Sequence, residues 1–180
     1  MDLSVGVSTY VMMTAFLSAD VGPAVAVGGE VRGEVFGVGA ELRFVVPSRA
    51  YARDPIPGAT SSYPQEFDIG LLAASFVPCA RYSYFVGCGV AQLGALTYKT
   101  DNYFEVTATF GVGPRLGFEV PFAERFAVFG FGEVLFAPAQ ALLRFSLPDP
   151  KYPNEPPANS QWQQPIASAF FGAGVSVKFK

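Results

Sequence analysis

Phe104-Glu105-Val106-Thr107-Ala108-Thr109-Phe110-Gly111-Val112-Gly113-Pro114-Arg115-Leu116-Gly117-Phe118-Glu119-Val120 alternates from end to end. Phe104, Val106, Ala108, Phe110, Val112, Pro114, Leu116, Phe118 and Val120 share one face, while Glu105, Thr107, Thr109, Gly111, Gly113, Arg115, Gly117 and Glu119 share the other. A period of two is the mark of a β-strand. One face is wholly apolar and the other carries three charges, so the two faces meet different surroundings. The same period runs through Leu3, Val5, Val7, Thr9, Val11, Met13 and Ala15 near the start, and through Phe171, Ala173, Val175, Val177 and Phe179 at the end.

Extended along the chain, the pattern predicts eight strands, at about 2–16, 23–33, 35–47, 66–79, 81–98, 103–121, 125–145 and 165–180. In the seventh, Phe126 to Phe136 offers Phe or Val on both faces, and Gly130 and Gly132 suggest a bulge. Links at 33–35, 79–81 and 121–125 are short. Links at 48–65 and 146–164 are long and rich in proline, with Pro55, Pro57 and Pro64 in the first and Pro148, Pro150, Pro153, Pro156 and Pro157 in the second. Short and long links alternate, as in an up-and-down barrel with turns at one rim and loops at the other. An even strand number places both termini at the turn rim. Residues 1–180 read as a single barrel domain.

Composition narrows the function. Of 180 residues, 51% are hydrophobic and only 15% charged, against about 25% charged in ordinary soluble domains. The net charge of −3 gives no basic footprint for nucleic acid. The chain has no histidine, which excludes His-dependent triads and His-ligated metals. The longest charge-free runs, Leu3–Ala19 and Tyr82–Tyr98, are 17 residues each and broken by Gly, Ser or Thr. A spanning helix needs about 20 apolar residues, so none is expected. The first basic residue is Arg32, so the start lacks the charged region of a secretory signal. Met1 is expected to follow a signal peptide already removed.

Charge placement separates a membrane barrel from a soluble one. Ten mid-strand charges, Glu30, Arg32, Glu41, Arg43, Asp68, Glu105, Arg115, Glu119, Glu133 and Lys178, fall on the Gly/Ser/Thr-rich face, and the other face carries none. A soluble barrel would leave an apolar surface in water, and a two-layer sandwich would need different connections. In a membrane barrel that face meets lipid, where a charge costs about 2–4 kcal/mol at the midplane.

The chain thus resembles the small eight-stranded outer-membrane barrels of the OmpA and OmpX type, in strand count, loop alternation and dyad pattern along its whole length. The C-terminal Phe171-x-Ala173-x-Val175-x-Val177-x-Phe179 is similar to the signal read by the barrel-assembly machinery, with the departure that Lys180 follows the final aromatic. The resemblance implies an all-β, antiparallel transmembrane barrel in the outer membrane of a Gram-negative bacterium. Outer-membrane lipid and the assembly machinery are the implied partners, and the chain is treated as a monomer. No functional residues carry over, because these barrels share architecture and differ in function.

Eight strands enclose a lumen just wide enough for side chains. The four basic and six acidic inward residues are expected to pair across it, Glu30 and Arg32 with Glu41 and Arg43 for example, and to plug it together with Tyr10 and Phe170. The competing reading of the same charges is a narrow ion path or gate. Cys79 and Cys88 are too few ligands for zinc. With a tight turn near Ala80-Arg81, Cys79 faces residue 82 and Cys88 lies about 20 Å further along. Free, lipid-facing thiols are therefore expected, and a disulfide only if the turn is larger. Tyr82, Tyr84, Phe36, Phe118, Phe126 and Phe179 are expected to form one interfacial girdle, and Phe16, Phe44, Phe67, Tyr98, Phe104 and Phe136 the other. Gly37-Val38-Gly39 and Gly111-Val112-Gly113 sit inside strands and lack the helix and Gly-Lys-Ser/Thr of a phosphate loop. No cofactor or metal is expected, and without a histidine to titrate near neutral pH an enzyme is disfavoured. Two readings remain: a structural or surface-binding barrel acting through the loops at 48–65 and 146–164, or a narrow small-solute or ion channel.

Overall fold

The computed structural model describes residues 4–16, 21–52, 54–55, 65–100, 104–147 and 158–179. Its strands are β1 (Ser4–Phe16), β2 (Val21–Arg32), β3 (Phe36–Ala52), β4 (Asp54–Pro55), β5 (Gln65–Tyr82), β6 (Phe85–Lys99), β7 (Phe104–Pro121), β8 (Phe126–Phe136), β9 (Leu142–Leu147), β10 (Ala158–Gln163) and β11 (Ala167–Phe179). Eight of them close into an antiparallel barrel in the order β1-β2-β3-β5-β6-β7-β8-β11. The seam is β1 against β11, with Val5 opposite Phe179, so the ends of the described chain meet at the turn rim.

At the loop end the structure departs from expectation. The strand expected over 125–145 ends at Phe136; Pro138, which has no N–H to give a ladder, follows at once. Leu142–Leu147 pairs instead with Ala158–Gln163, which also meets Asp54–Pro55, in a separate three-stranded sheet. The links at 48–65 and 146–164 are thus partly strand. Residues 56–64 and 148–157 lie outside the described part. No bulge falls at Gly130 or Gly132, because β8 keeps one register against both neighbours. A Cβ on Gly130 would come within 2.8 Å of the Phe118 ring, so this glycine makes room for an outward aromatic. The bulge lies in β3, where Val46 and Pro47 together oppose Gly70. Above it the faces of β3 exchange: Ala50 is buried and Arg49 exposed.

The second departure is the β5–β6 turn. It lies at Ser83-Tyr84, not at Ala80-Arg81, with Tyr82 paired to Phe85. Ser83 takes φ 55°, the left-handed conformation that two-residue hairpin loops require and that Gly or Asn usually supplies. With that turn Cys79 stands directly opposite Cys88, at a Cα–Cα distance of 4.1 Å, and the two form a disulfide. The expectation of free, lipid-facing thiols is overturned. The bridge faces the lumen.

The phase of β5 also differs from expectation, for a reason separate from the turn. Its buried residues are Phe67, Ile69, Leu71, Ala73, Ser75 and Val77, so Asp68 points outward, contrary to expectation. An apolar inner face misleads a reading that takes the apolar side of every strand for the lipid side. Asp68 joins Arg49, Glu66 and Lys99 at the loop rim, where Arg49 and Lys99 flank it across β3 and β6. From Gly70 to Ala80 the outer face of β5 carries no charge. That stretch spans roughly 26 Å along the barrel axis, which suits a bilayer's hydrocarbon.

Outer-face side chains such as Leu42, Leu72, Phe76, Leu93, Phe110, Leu116 and Phe171 are all exposed. Phe36, Tyr82, Tyr84, Phe118, Phe126 and Phe179 form an exposed aromatic ring at the turn rim, joined by Phe85 and Phe122. At the loop rim Phe44, Phe104 and Phe136 are exposed, but Phe67 and Tyr98 are buried in the lumen rather than in the girdle. The side chains of Phe16 and Tyr10 lie outside the described part.

The disulfide and the barrel are open to direct checks. Denatured, unreduced protein should take up no thiol-alkylating reagent by mass spectrometry, and reduced protein should take up two equivalents per chain. Folded in detergent micelles, the chain should run faster on a gel unheated than boiled.

Candidate functional site

The lumen is where this chain concentrates chemistry, and its charges form two tiers. In the inner tier, Arg43 on β3 hydrogen-bonds Glu133 on β8, Nη1 to Oε1 at 2.6 Å and Nη2 to Oε2 at 3.0 Å. Arg115 on β7 binds the same Glu133 through Nε at 2.8 Å, and Glu41 through Nη1 at 2.6 Å and Nη2 at 2.8 Å. Glu41 also accepts from Arg43 Nη2 at 2.9 Å, and Gln92 accepts from Arg43 Nη1 at 2.9 Å. Two guanidinium groups and two carboxylates thus bind one another in a closed set.

Local sequence makes the space. Arg43 has Ala26 and Ala73 as its cross-strand neighbours, so no large side chain competes for its volume. Cys88, Arg115, Glu133 and Phe170 follow one another as cross-strand partners from β6 to β11. Arg115 lies over the Phe131 ring at 4.3 Å, and Arg43 lies 5.8 Å from the Phe170 ring. Such stacking suits a weakly hydrated guanidinium in a dry interior. The side chains of Arg43 and Glu133 are 1% and 0% exposed.

The outer tier sits near the turn rim. Arg32 on β2 reaches Glu119 on β7, Nη1 to Oε1 at 2.8 Å, and also binds Glu30. Arg81 Nη2 donates to Glu30 at 2.6 Å, and Lys178 Nζ lies 2.9 Å from Glu119. The expected pairing of Glu30 and Arg32 with Glu41 and Arg43 is not made. Glu30 and Arg32 stand opposite Gly39 and Gly37, while Glu41 and Arg43 stand opposite Gly28 and Ala26, which separates the two sets along the axis. Of the ten charges expected inside, Glu30, Arg32, Glu41, Arg43, Arg115, Glu119, Glu133 and Lys178 come together. Asp68 does not, and Glu105, though of inward parity, is exposed at the loop rim. Arg81 and Gln92 were missed. Arg81 shares the parity of Cys79 and lies inside β5, so finding it required both the true turn position and the true phase of that strand.

Between the tiers lies a cavity of about 90 Å³, bordered by Glu30, Arg81, Cys79, Cys88, Phe131 and Ser176 among others. A second, of about 20 Å³, lies at the loop side among Gln92, Thr109, Gln164 and Phe170. Beyond the inner tier the lumen turns apolar: Phe67, Leu96, Tyr98 and Phe170 are all at most 4% exposed, and Trp162 of β10 meets Phe67 edge-on at 5.8 Å. Gln164 and Thr109 hydrogen-bond there at 3.0 Å.

No protein-family model and no curated protein matches the chain. Among solved structures it is similar to Neisserial surface protein A, at 10% identity over 98% of this chain and 97% of that one, with a TM-score of 0.59. It is also similar to a major outer membrane protein from Thermus thermophilus, at 15% identity over 97% of this chain and 99% of that one, with a TM-score of 0.53. The fold is that of an eight-stranded outer-membrane β-barrel. Identities this low speak for architecture, and the barrel's site residues rest on its own geometry.

Removing Arg115 leaves Glu41 and Glu133 to share the single guanidinium of Arg43, one buried negative charge in excess. Arg115→Met should therefore lower the unfolding free energy in a urea titration by about 3–5 kcal/mol. Arg49→Met, which loses only the exposed pair with Glu66, should change it by less than about 1 kcal/mol.

Proposed function

We propose that the chain is a non-enzymatic barrel of the bacterial outer membrane whose working surface is its loop end, with a structural or surface-binding role through 48–65 and 146–164. The observation that carries this reading is the filled lumen. Arg43, Glu133 and Phe170 are buried at its waist, and Phe67, Leu96 and Tyr98 close it toward the loops. What this barrel offers a partner is then its rim, where β4, β10 and β9 form a sheet of their own. Neighbouring proline-rich sequence resists further strand pairing, because proline fixes φ and gives no N–H. The similar Neisserial protein bears the name of a surface protein, which agrees with this use of the fold.

In the same reading, Phe171, Val175, Val177 and Phe179 are the strand signal that the assembly machinery takes up. They stand on the outer face of β11, the strand that completes the ring against β1.

Replacing 149–157 by a short Gly/Ser linker stops before β10. The variant should keep the heat-dependent gel shift of the folded barrel and lose binding to any partner captured by the wild type. In planar bilayers the wild type should show no defined single-channel steps. Steady steps that Arg43→Ala alters would instead make the barrel a narrow ion channel.

A further inference from the structure

The Cys79–Cys88 bridge is formed within one hairpin but enclosed by the whole barrel. The two residues are separated by 9 positions and face each other across β5 and β6, so the hairpin alone brings them together. In the closed barrel Cys79 also stands opposite Gly37 of β3, and Cys88 opposite Arg115 of β7. Both cysteines line the 90 Å³ cavity and pack against the buried side chains of the lumen. Counted along β5 from Tyr82 at the turn, Cys79 lies about 10 Å into the lumen. An eight-stranded lumen is only wide enough for side chains. A solute of a few heavy atoms fits at that depth, and a folded protein does not.

The hairpin has a use for an early cross-link. Its turn holds Ser83 at φ 55° without the Gly or Asn that favours that conformation. The β5–β6 ladder is interrupted at Val77 and Pro78, and proline has no N–H to give. Backbone pairing therefore registers the tip at 79–88 weakly, and the bridge sits directly beside the break. A chain bound for the outer membrane passes through the periplasm, where thiols meet protein oxidants. We infer that the bridge is installed on the unfolded chain, before the barrel closes, by a protein thiol oxidase, and that the closed barrel is no substrate for that enzyme. One cysteine thiolate attacks the oxidant's disulfide, which forms a mixed disulfide and releases one thiol. The second cysteine attacks the mixed disulfide, closes the bridge and releases the other thiol. Two electrons and two protons pass to the oxidant, which leaves as a dithiol. The first exchange requires sulfur-to-sulfur contact, which the barrel wall denies to a protein.

The test compares the full chain, reduced, in two states: unfolded in mild urea, and folded in detergent micelles as judged by the unheated gel shift. Each is mixed with a purified, oxidised thiol oxidase of the thioredoxin fold, and free thiols are followed over time by alkylation and mass spectrometry. The unfolded chain should lose both thiols, and the folded chain should react at least about tenfold more slowly, since access limits exchange. Hydroxyethyl disulfide, a small neutral oxidant of the same chemistry, should bridge both states. In Cys79→Ser, the oxidase should be trapped as a mixed disulfide with Cys88 of the unfolded chain and not of the folded one. A reduced chain that cannot fold supports the same order, because closure then waits for the bridge. Equal rates in the two states overturn the inference, as does an unfolded chain that hydroxyethyl disulfide bridges and the oxidase does not.

Discussion

The closed set formed by Arg43, Arg115, Glu41 and Glu133 is the constraint on which the rest of this barrel depends. Lipid outside the strands gives the wall little reason to curl around an apolar interior, since the tails are as apolar as any side chain. What the interior supplies is a place where charges find partners. Four groups on β3, β7 and β8 tie strands that do not all neighbour one another, and each is held by at least two bonds. The desolvation each group suffers is offset only in this complete arrangement. Small residues at Ala26 and Ala73 and the rings of Phe131 and Phe170 keep the set in place.

Register is the second constraint, and one turn governs much of it. Placing the β5–β6 turn at Ser83-Tyr84 brings Cys79 opposite Cys88. The same turn leaves Arg81 within β5, whose odd-numbered side chains face the lumen, and there it meets Glu30. A turn two or three residues earlier would put the cysteines far apart and Arg81 at the surface. Moving a two-residue turn shifts partners along the strands by an even step and leaves their faces alone, so the inward phase of Phe67, Ile69 and Leu71 has a separate origin in the apolar lumen.

The two ends of the lumen differ in kind. The turn end is wet and charged, the loop end dry and aromatic, and the inner tier divides them. The bulge at Val46-Pro47 belongs to this division: above it β3 buries Ala50 and presents Arg49 to the outside, where the bilayer gives way to water. The loop-end sheet then carries Trp162 over the mouth, against Phe67.

The sequence by itself determined the strand count, the alternation of turns and loops, the lipid-facing side of most strands and eight of the charges that meet inside. These depend on the nearest solvent, water or lipid, and a period of two reports that locally. Only the tertiary structure decided who pairs with whom. Ser83 carries no turn signal that glycine or asparagine would give, so the disulfide and Arg81 were hidden from pattern reading. Asp68, Phe67 and Tyr98 were misplaced because the inner face is apolar near the loops, where hydropathy no longer separates inside from outside. Pairing across a lumen depends on the stagger of strands distant in sequence, and that stagger exists only once the barrel has closed.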